Sequence, residues 1–103
     1  MLVRIWRTDF DVTQKDKLLS YANNVSLPAL GSRPGCRGVL FFSKDDRWTT
    51  MTIWQDQASI DALDDDADYR RIAEGILDIG VLGTDQSLEV CAYDGGALTT
   101  PLV

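Results

Sequence analysis

The sequence predicts an α+β fold of order β-α-β-β-α-β, the ferredoxin-like plan built on a four-stranded antiparallel sheet. Three observations carry that prediction. Four segments alternate at the period of a strand, two others carry apolar stripes at the period of a helix, and turn or capping residues separate them. At 103 residues the chain suits one domain, since about 100–200 residues per domain is usual. Residues 1–93 hold every periodic element, and 94–103 read as a tail without one.

The elements follow in order. Residues 2–8 place Val3 and Ile5 on one face and Leu2, Arg4 and Trp6 on the other, a strand with apolar side chains on both sides. Thr13 with Asp16 three residues on resembles a capping box. The helix after it carries Leu18, Ala22 and Val25 on one stripe, with Leu19 beside it. Pro28 is expected to end that helix near Val25, or to let Ser26 restart a short turn. Gly31 to Gly35 is a loop, Cys36 to Ser43 the second strand, and Lys44-Asp45-Asp46-Arg47 a hairpin turn. Trp48 to Gln55 is the third strand. Asp56 caps a short helix with Ile60 and Leu63, and a longer helix runs from about Asp66 to Ile79 with Tyr69, Ile72, Ala73 and Ile76 at helical spacing. Gly80 and Gly83 end it, and Ser87 to Tyr93 alternates as the last strand.

Composition removes several function classes. Sixteen acidic against ten basic side chains give a net charge of −6, which repels phosphate backbones and argues against nucleic-acid binding. The absence of histidine excludes Ser-His-Asp and Cys-His catalysis and His-ligated zinc or haem. The longest apolar run, Val39 to Phe42, falls far short of the roughly 18 residues of a membrane span. The first residues alternate too soon for a signal peptide, so the expected location is the cytoplasm. Cys36 and Cys91 are too few for a disulfide scaffold. They fall on strands expected at opposite sheet edges, beyond bridging distance.

Two helices cover one face of a four-stranded sheet, yet the first three strands are apolar on both. Val3, Ile5, Val39, Phe41, Met51 and Ile53 fall on one set of alternating positions. Leu2, Trp6, Leu40, Phe42, Trp48 and Trp54 fall on the other. Leaving either set in water exposes more than the ~300–600 Å² apolar patch of a typical monomer. A homodimer packed face to face is expected.

The run Pro34-Gly35-Cys36, the strand through Phe41-Phe42, the turn at Asp45, Trp54 closing the third strand, the short helix after it and the aromatic Tyr69 together resemble the antibiotic-biosynthesis monooxygenase family. The resemblance spans residues 2–93. It implies a dimeric α+β barrel and, for the oxygenase members, cofactor-independent oxygenation of a small phenolic or polyketide-like substrate. The same superfamily also holds polyketide cyclases, isomerases, haem-degrading enzymes and proteins without known activity. Haem-degrading members carry a ligating His where this chain reads Leu63-Asp64-Asp65. Quinone-forming oxygenase members carry an Asn at the position of Thr50, whose hydroxyl offers a single donor in its place.

Candidate ligand contacts follow from the residues. Trp54 shares a strand face with Trp48, Thr50 and Thr52, a stripe of aromatics and hydroxyls. It reads either as a pocket wall for a planar ligand, with Thr50 the nearest polar contact, or as core between sheet and helix. Trp6 carries the same two readings. Arg4 and Arg7 lie on opposite faces, so one points towards the helices, where a cation could hold a phenolate or carboxylate. Its alternative is solvent or an Asp partner. Tyr69 either donates to a ligand or packs with its hydroxyl at the rim. The cluster Asp64-Asp65-Asp66 with Asp68 is not expected to bind metal, because adjacent helical residues diverge by about 100°. The Gly31–Gly35 loop leads into a strand and is no phosphate loop, and Cys36 lacks a His to activate it.

Overall fold

The computed structural model describes residues 1–101; the last two residues of the expected tail lie outside the described residues. Strands β1 (Leu2–Asp9), β2 (Cys36–Lys44), β3 (Arg47–Trp54) and β4 (Ser87–Ala92) form one sheet in the order β2-β3-β1-β4. Every pairing is antiparallel. The ferredoxin-like α+β plan is therefore present, with β2 and β4 as edges and Cys36 and Cys91 both free.

Register decides which side chains share a face. Leu2, Arg4, Trp6 and Thr8 of β1 lie opposite Trp54, Thr52, Thr50 and Trp48 of β3, and all eight face the helices. In β2, Val39 and Phe41 pair with Thr52 and Thr50 and join that same face. This corrects the sequence grouping, which put Val39 and Phe41 with Val3, Ile5, Met51 and Ile53. Alternation fixes the two faces of a strand, but the turn fixes which of them joins a neighbour's. Here Asp45 and Asp46 alone close the hairpin, Lys44 pairs with Arg47, and Asp45 takes a left-handed φ of 53°. The open face holds Val3, Ile5, Leu40, Phe42, Met51 and Ile53, with Phe42 49% exposed.

The first helical segment departs furthest from expectation. Asp11, not Thr13, caps it, accepting from the Thr13 backbone N–H at 3.0 Å. A 3₁₀ turn (Val12–Gln14) leads into α1 (Lys15–Tyr21), a π turn (Ala22–Ser26) and α2 (Leu27–Gly31). The chain thus stays helical through Pro28. At the π turn the Leu27 N–H reaches back five residues to the Ala22 carbonyl, a widened turn that accommodates the proline ring and its missing donor. The same widening rotates Val25 outward; it and Leu19 are exposed, while Leu18, Ala22, Ser26 and Leu30 are buried.

Asp56 caps α3 (Gln57–Asp61), accepting from the Ser59 N–H at 2.9 Å, and a 3₁₀ turn (Ala62–Asp65) follows. Asp66 caps α4 (Ala67–Asp78) through the N–H groups of Asp68 and Tyr69. Arg33 holds that cap from the loop before β2, 3.0 Å from the Asp66 carboxylate. Within the acidic cluster the Asp66 carboxylate is taken up by the helix cap and Arg33, and that of Asp68 pairs with Arg33 and Arg71. Two separate cores result. One gathers Phe10, Leu18, Ala22, Trp48 and Val81; the other gathers Trp54, Ile60 and Leu63. Among the described residues no helix is long and apolar enough to cross a membrane.

Candidate functional site

Between the sheet and α4 lies a cavity of about 390 Å³. No residue of α4 is fully buried, because its apolar stripe of Ile72, Ala73 and Ile76 faces this space rather than a packed sheet. The floor is Arg4 and Trp6 of β1, Phe41 of β2 and Thr50 of β3. Ala22, Ser26 and Leu30 form the inner end. Leu77 and Leu88, both 55% exposed, stand at the outer end beside the edge strand β4.

Trp48 borders the cavity while remaining almost wholly buried. Phe10 meets it edge-on, with ring centroids 6.2 Å apart, and Phe41 lies stacked on it at 5.6 Å. Its indole N–H donates to the Thr50 hydroxyl at 3.0 Å. Thr50 therefore uses an acceptor lone pair on Trp48 and keeps its own O–H for another partner. No acceptor for that proton occurs among the described residues.

Arg4 points towards the helices and Arg7 away, where it pairs with Glu89 at 2.8 Å. Arg4 Nη2 donates to the Tyr69 hydroxyl at 3.0 Å, and its guanidinium carbon lies 5.8 Å from that ring's centroid. Arg4 and Tyr69 are the ionisable residues of the lining.

The structure brings Arg4, Trp6, Thr50 and Tyr69 together around one cavity and leaves Trp54 and Thr52 out of it. Trp54 is 0% exposed, packed with Ile60 and Leu63. Its indole N–H donates to the Thr52 hydroxyl at 2.7 Å, and that hydroxyl lies 3.5 Å from the Arg4 carbonyl. Trp54 is therefore core, and the expectation of a ligand against it is corrected. The cause is α3 with its following 3₁₀ turn, which fold back over that end of β3 and fill the space with Ile60 and Leu63.

Sequence reasoning missed Phe41 and Trp48 as cavity residues. Placing Phe41 requires the parity of the β2–β3 hairpin. Trp48 is on the face the sequence predicts and belongs to the stripe of aromatics and hydroxyls named with Trp54, but the expectation places the ligand against Trp54 at the other end of that stripe. Elsewhere, burial raises the pKa of the half-buried Cys36 thiol, which disfavours the nucleophilic thiolate. Burial, with Asp78 nearby, raises that of Tyr21, whose hydroxyl donates to the Ile72 carbonyl at 2.8 Å.

No protein-family model matches the sequence, and no curated protein matches it. Solved structures do. A monooxygenase from Streptomyces coelicolor, solved with nanaomycin D, aligns at a TM-score of 0.78 and 14% identity, over 96% of this chain and 92% of that one. A structure described as an antibiotic biosynthesis monooxygenase aligns at 0.73 and 15%, over 92% and 100%. A protein of unknown function from Nitrosomonas europaea aligns at 0.73 and 14%, over 97% and 95%. At such identities the likeness is one of fold, and the fold is the ferredoxin-like α+β fold of the antibiotic-biosynthesis monooxygenases that the sequence resembles.

Proposed function

We propose that the chain binds a small planar aromatic molecule between the sheet and α4 and oxygenates a phenolic, polyketide-like substrate without a cofactor. The observation that carries the reading is the cavity itself. Trp6, Phe41 and Trp48 offer apolar faces on one side, and Ile72 and Ile76 close the other. Thr50, Tyr69 and Arg4 give the rim its polar contacts. Such a shape suits a flat ring with an oxygen at one edge. In this reading the bound phenolate is itself the reductant. It delivers four electrons to dioxygen in all: two as a carbon–oxygen bond forms and leaves a ring hydroperoxide, and two more as that hydroperoxide's O–O bond breaks. One oxygen atom stays as a quinone carbonyl and the other leaves as water with the two hydrogens the substrate loses. The protein's part is to orient the ring, hold the ionised oxygen near Arg4 and Tyr69, and keep bulk water from the reacting carbon. The shared fold with a Streptomyces monooxygenase solved with nanaomycin D supports this choice.

Titration with 2-naphthol, followed by tryptophan fluorescence, tests the binding step; oxygen uptake and quinone absorbance under air test turnover. Saturable binding with oxygen uptake is expected. No binding at the solubility limit would overturn the reading. A second reading, a ligand-binding module without turnover, is favoured by one feature. No carboxylate lines the cavity among the described residues, so apart from Tyr69 no side chain there offers a base. Binding without oxygen uptake would select it. The same feature counts against a cyclase or isomerase, which needs an acid–base pair.

The open sheet face supports the homodimer. Val3, Ile5, Leu40, Phe42, Met51 and Ile53 form an apolar surface that none of the chain's own helices covers, and a second copy laid on it would remove it from water. Light scattering should give twice the chain mass, and a monomer at micromolar concentration would refute the assembly. Residues 1–93 would then be the working domain, with 94–103 as an appendage. The two free cysteines accord with a reducing cytoplasm.

A further inference from the structure

We infer that the natural occupant of the cavity is an acid, an aromatic molecule whose ionised oxygen is anchored on Arg4. The inference rests on the aromatic-binding reading and deepens it by naming the charge of the ligand. It starts from how the chain distributes its arginines. Arg7, Arg33, Arg47 and Arg71 each pair with a carboxylate. Among the described residues Arg4, Arg37 and Arg70 do not, although the chain carries sixteen acidic residues against ten basic ones. Arg37 and Arg70 are exposed and donate to the Gln55 amide oxygen and the Asp64 carbonyl, whereas Arg4 is turned into the cavity. Its one side-chain partner is the neutral hydroxyl of Tyr69, at 3.0 Å.

The surroundings make that solitude informative. Arg4 is partly buried in the floor of a cavity whose other walls are mostly apolar, and among the described residues it is the only cation of the lining. A guanidinium carries five N–H donors in a planar fork. One is directed at Tyr69, and none of the others finds a side-chain acceptor among the described residues. Holding a cation against apolar walls without a counter-charge is unfavourable, and an entering anion relieves it. The guanidinium fork matches a carboxylate by two parallel hydrogen bonds and a phenolate by one. Tyr69, fixed by Arg4 with its oxygen as acceptor, retains its O–H to donate to the same anion. The Thr50 hydroxyl proton is free as well, so three donors from β1, α4 and β3 border a space that offers no competing carboxylate.

The test compares near-isosteric probes on the full chain by tryptophan fluorescence. Naphthalene-2-carboxylate is set against the neutral naphthalene-2-carboxamide, and 2-naphthol is measured below and above its own ionisation. The carboxylate is expected to bind at least tenfold more tightly than the amide to the wild type. Arg4→Gln should reduce that preference to twofold or less, and Arg4→Lys should keep part of it. If ionising the naphthol tightens its binding and Arg4→Gln abolishes the gain, phenolates belong to the same class; if only the carboxylate gains, the class is carboxylic acids. Equal binding of amide, acid and both forms of naphthol to the wild type would overturn the anionic assignment while leaving the aromatic site standing. Failure of every probe to bind would overturn both. The wild-type comparison stands even if a variant does not fold.

Discussion

Strand β3 carries two tryptophan–threonine pairs of the same make, and they meet different fates. At one end Trp54 donates to Thr52; at the other Trp48 donates to Thr50. Both indoles lie on the helix-facing side, and both are almost wholly buried. Around Trp54, α3 and its 3₁₀ turn bring Ile60 and Leu63 into contact and leave no space. Around Trp48 the cover comes from Phe10, Leu18 and Val81 on one flank, and the flank towards α4 stays open as the cavity. Identical local chemistry therefore yields packing at one end and a binding surface at the other. What differs is whether the element overhead is close enough to interdigitate.

The largest expected effect is at the closed end. Trp54→Ala should destabilise the fold by about 3–5 kcal/mol, the range for emptying a buried aromatic site, as read from urea denaturation at fixed protein concentration. Trp6→Ala removes a half-buried ring from the cavity floor instead. It should weaken 2-naphthol binding by about tenfold, roughly 1.4 kcal/mol, with a smaller loss of stability. The comparison breaks if the two variants exchange these phenotypes.

The threonines sharpen it. Thr52→Val strands the Trp54 indole N–H in a closed core, a loss of about 1–3 kcal/mol. Thr50→Val should cost less, since water in the cavity can serve the Trp48 N–H, and should register mainly as weaker binding of a hydroxylated ring. Equal stability losses in the two variants would show that the cavity end is as closed as the other.

Acid should loosen the closed end by the smallest margin. The Tyr69 backbone N–H, with Arg33 beside it, holds the Asp66 pKa below its usual 3.8. A depressed carboxylate pKa stabilises the fold fully above the unfolded value and loses that contribution as pH falls through the lower, folded value. Stability should therefore decline below about pH 4. Asp66→Asn should be less stable than the wild type at neutral pH and show a shallower decline on acidification, as followed by thermal denaturation from pH 6 to 2.5. Parallel pH profiles would show that this cap contributes nothing measurable.

Much of this architecture was legible because it rests on local periodicity. Asp56 as a cap, a long helix opening at about Asp66, Gly80 beyond α4, and the alternation of all four strands are statements about neighbours in sequence. The closed and open ends were not legible, because they depend on contacts between distant segments. Nothing in Trp48-Thr49-Thr50 or Thr52-Ile53-Trp54 says that Ile60 and Leu63 will cover one pair while Ile72 and Ile76 stand off from the other. Phe41 was misplaced for a related reason: the grouping followed alternation along each strand alone, whereas the even turn at Lys44 to Arg47 sets Phe41 opposite Thr50 and so on the helix-facing side. Pro28 misled because its usual effect in a helix assumes regular α geometry, which the π turn locally suspends.

That π turn has a consequence for how the cavity can change. It inserts one residue more than an α-helical turn would hold, so everything after Ser26 is rotated by about 100° from where a regular helix would carry it. Leu30, at the cavity's inner end, owes its inward direction to that single extra residue. Removing exposed Asn23 or Asn24 would take out that extra residue and let a regular α-helical turn carry Leu30 in its present direction, while setting the Pro28 ring against a backbone carbonyl. The size of the site is thus governed by helical register: rewinding this stretch as a regular α-helix at unchanged length would swing Leu30 off the cavity, so a change of backbone geometry around exposed Asn23 and Asn24 would reshape a pocket that neither of their side chains lines.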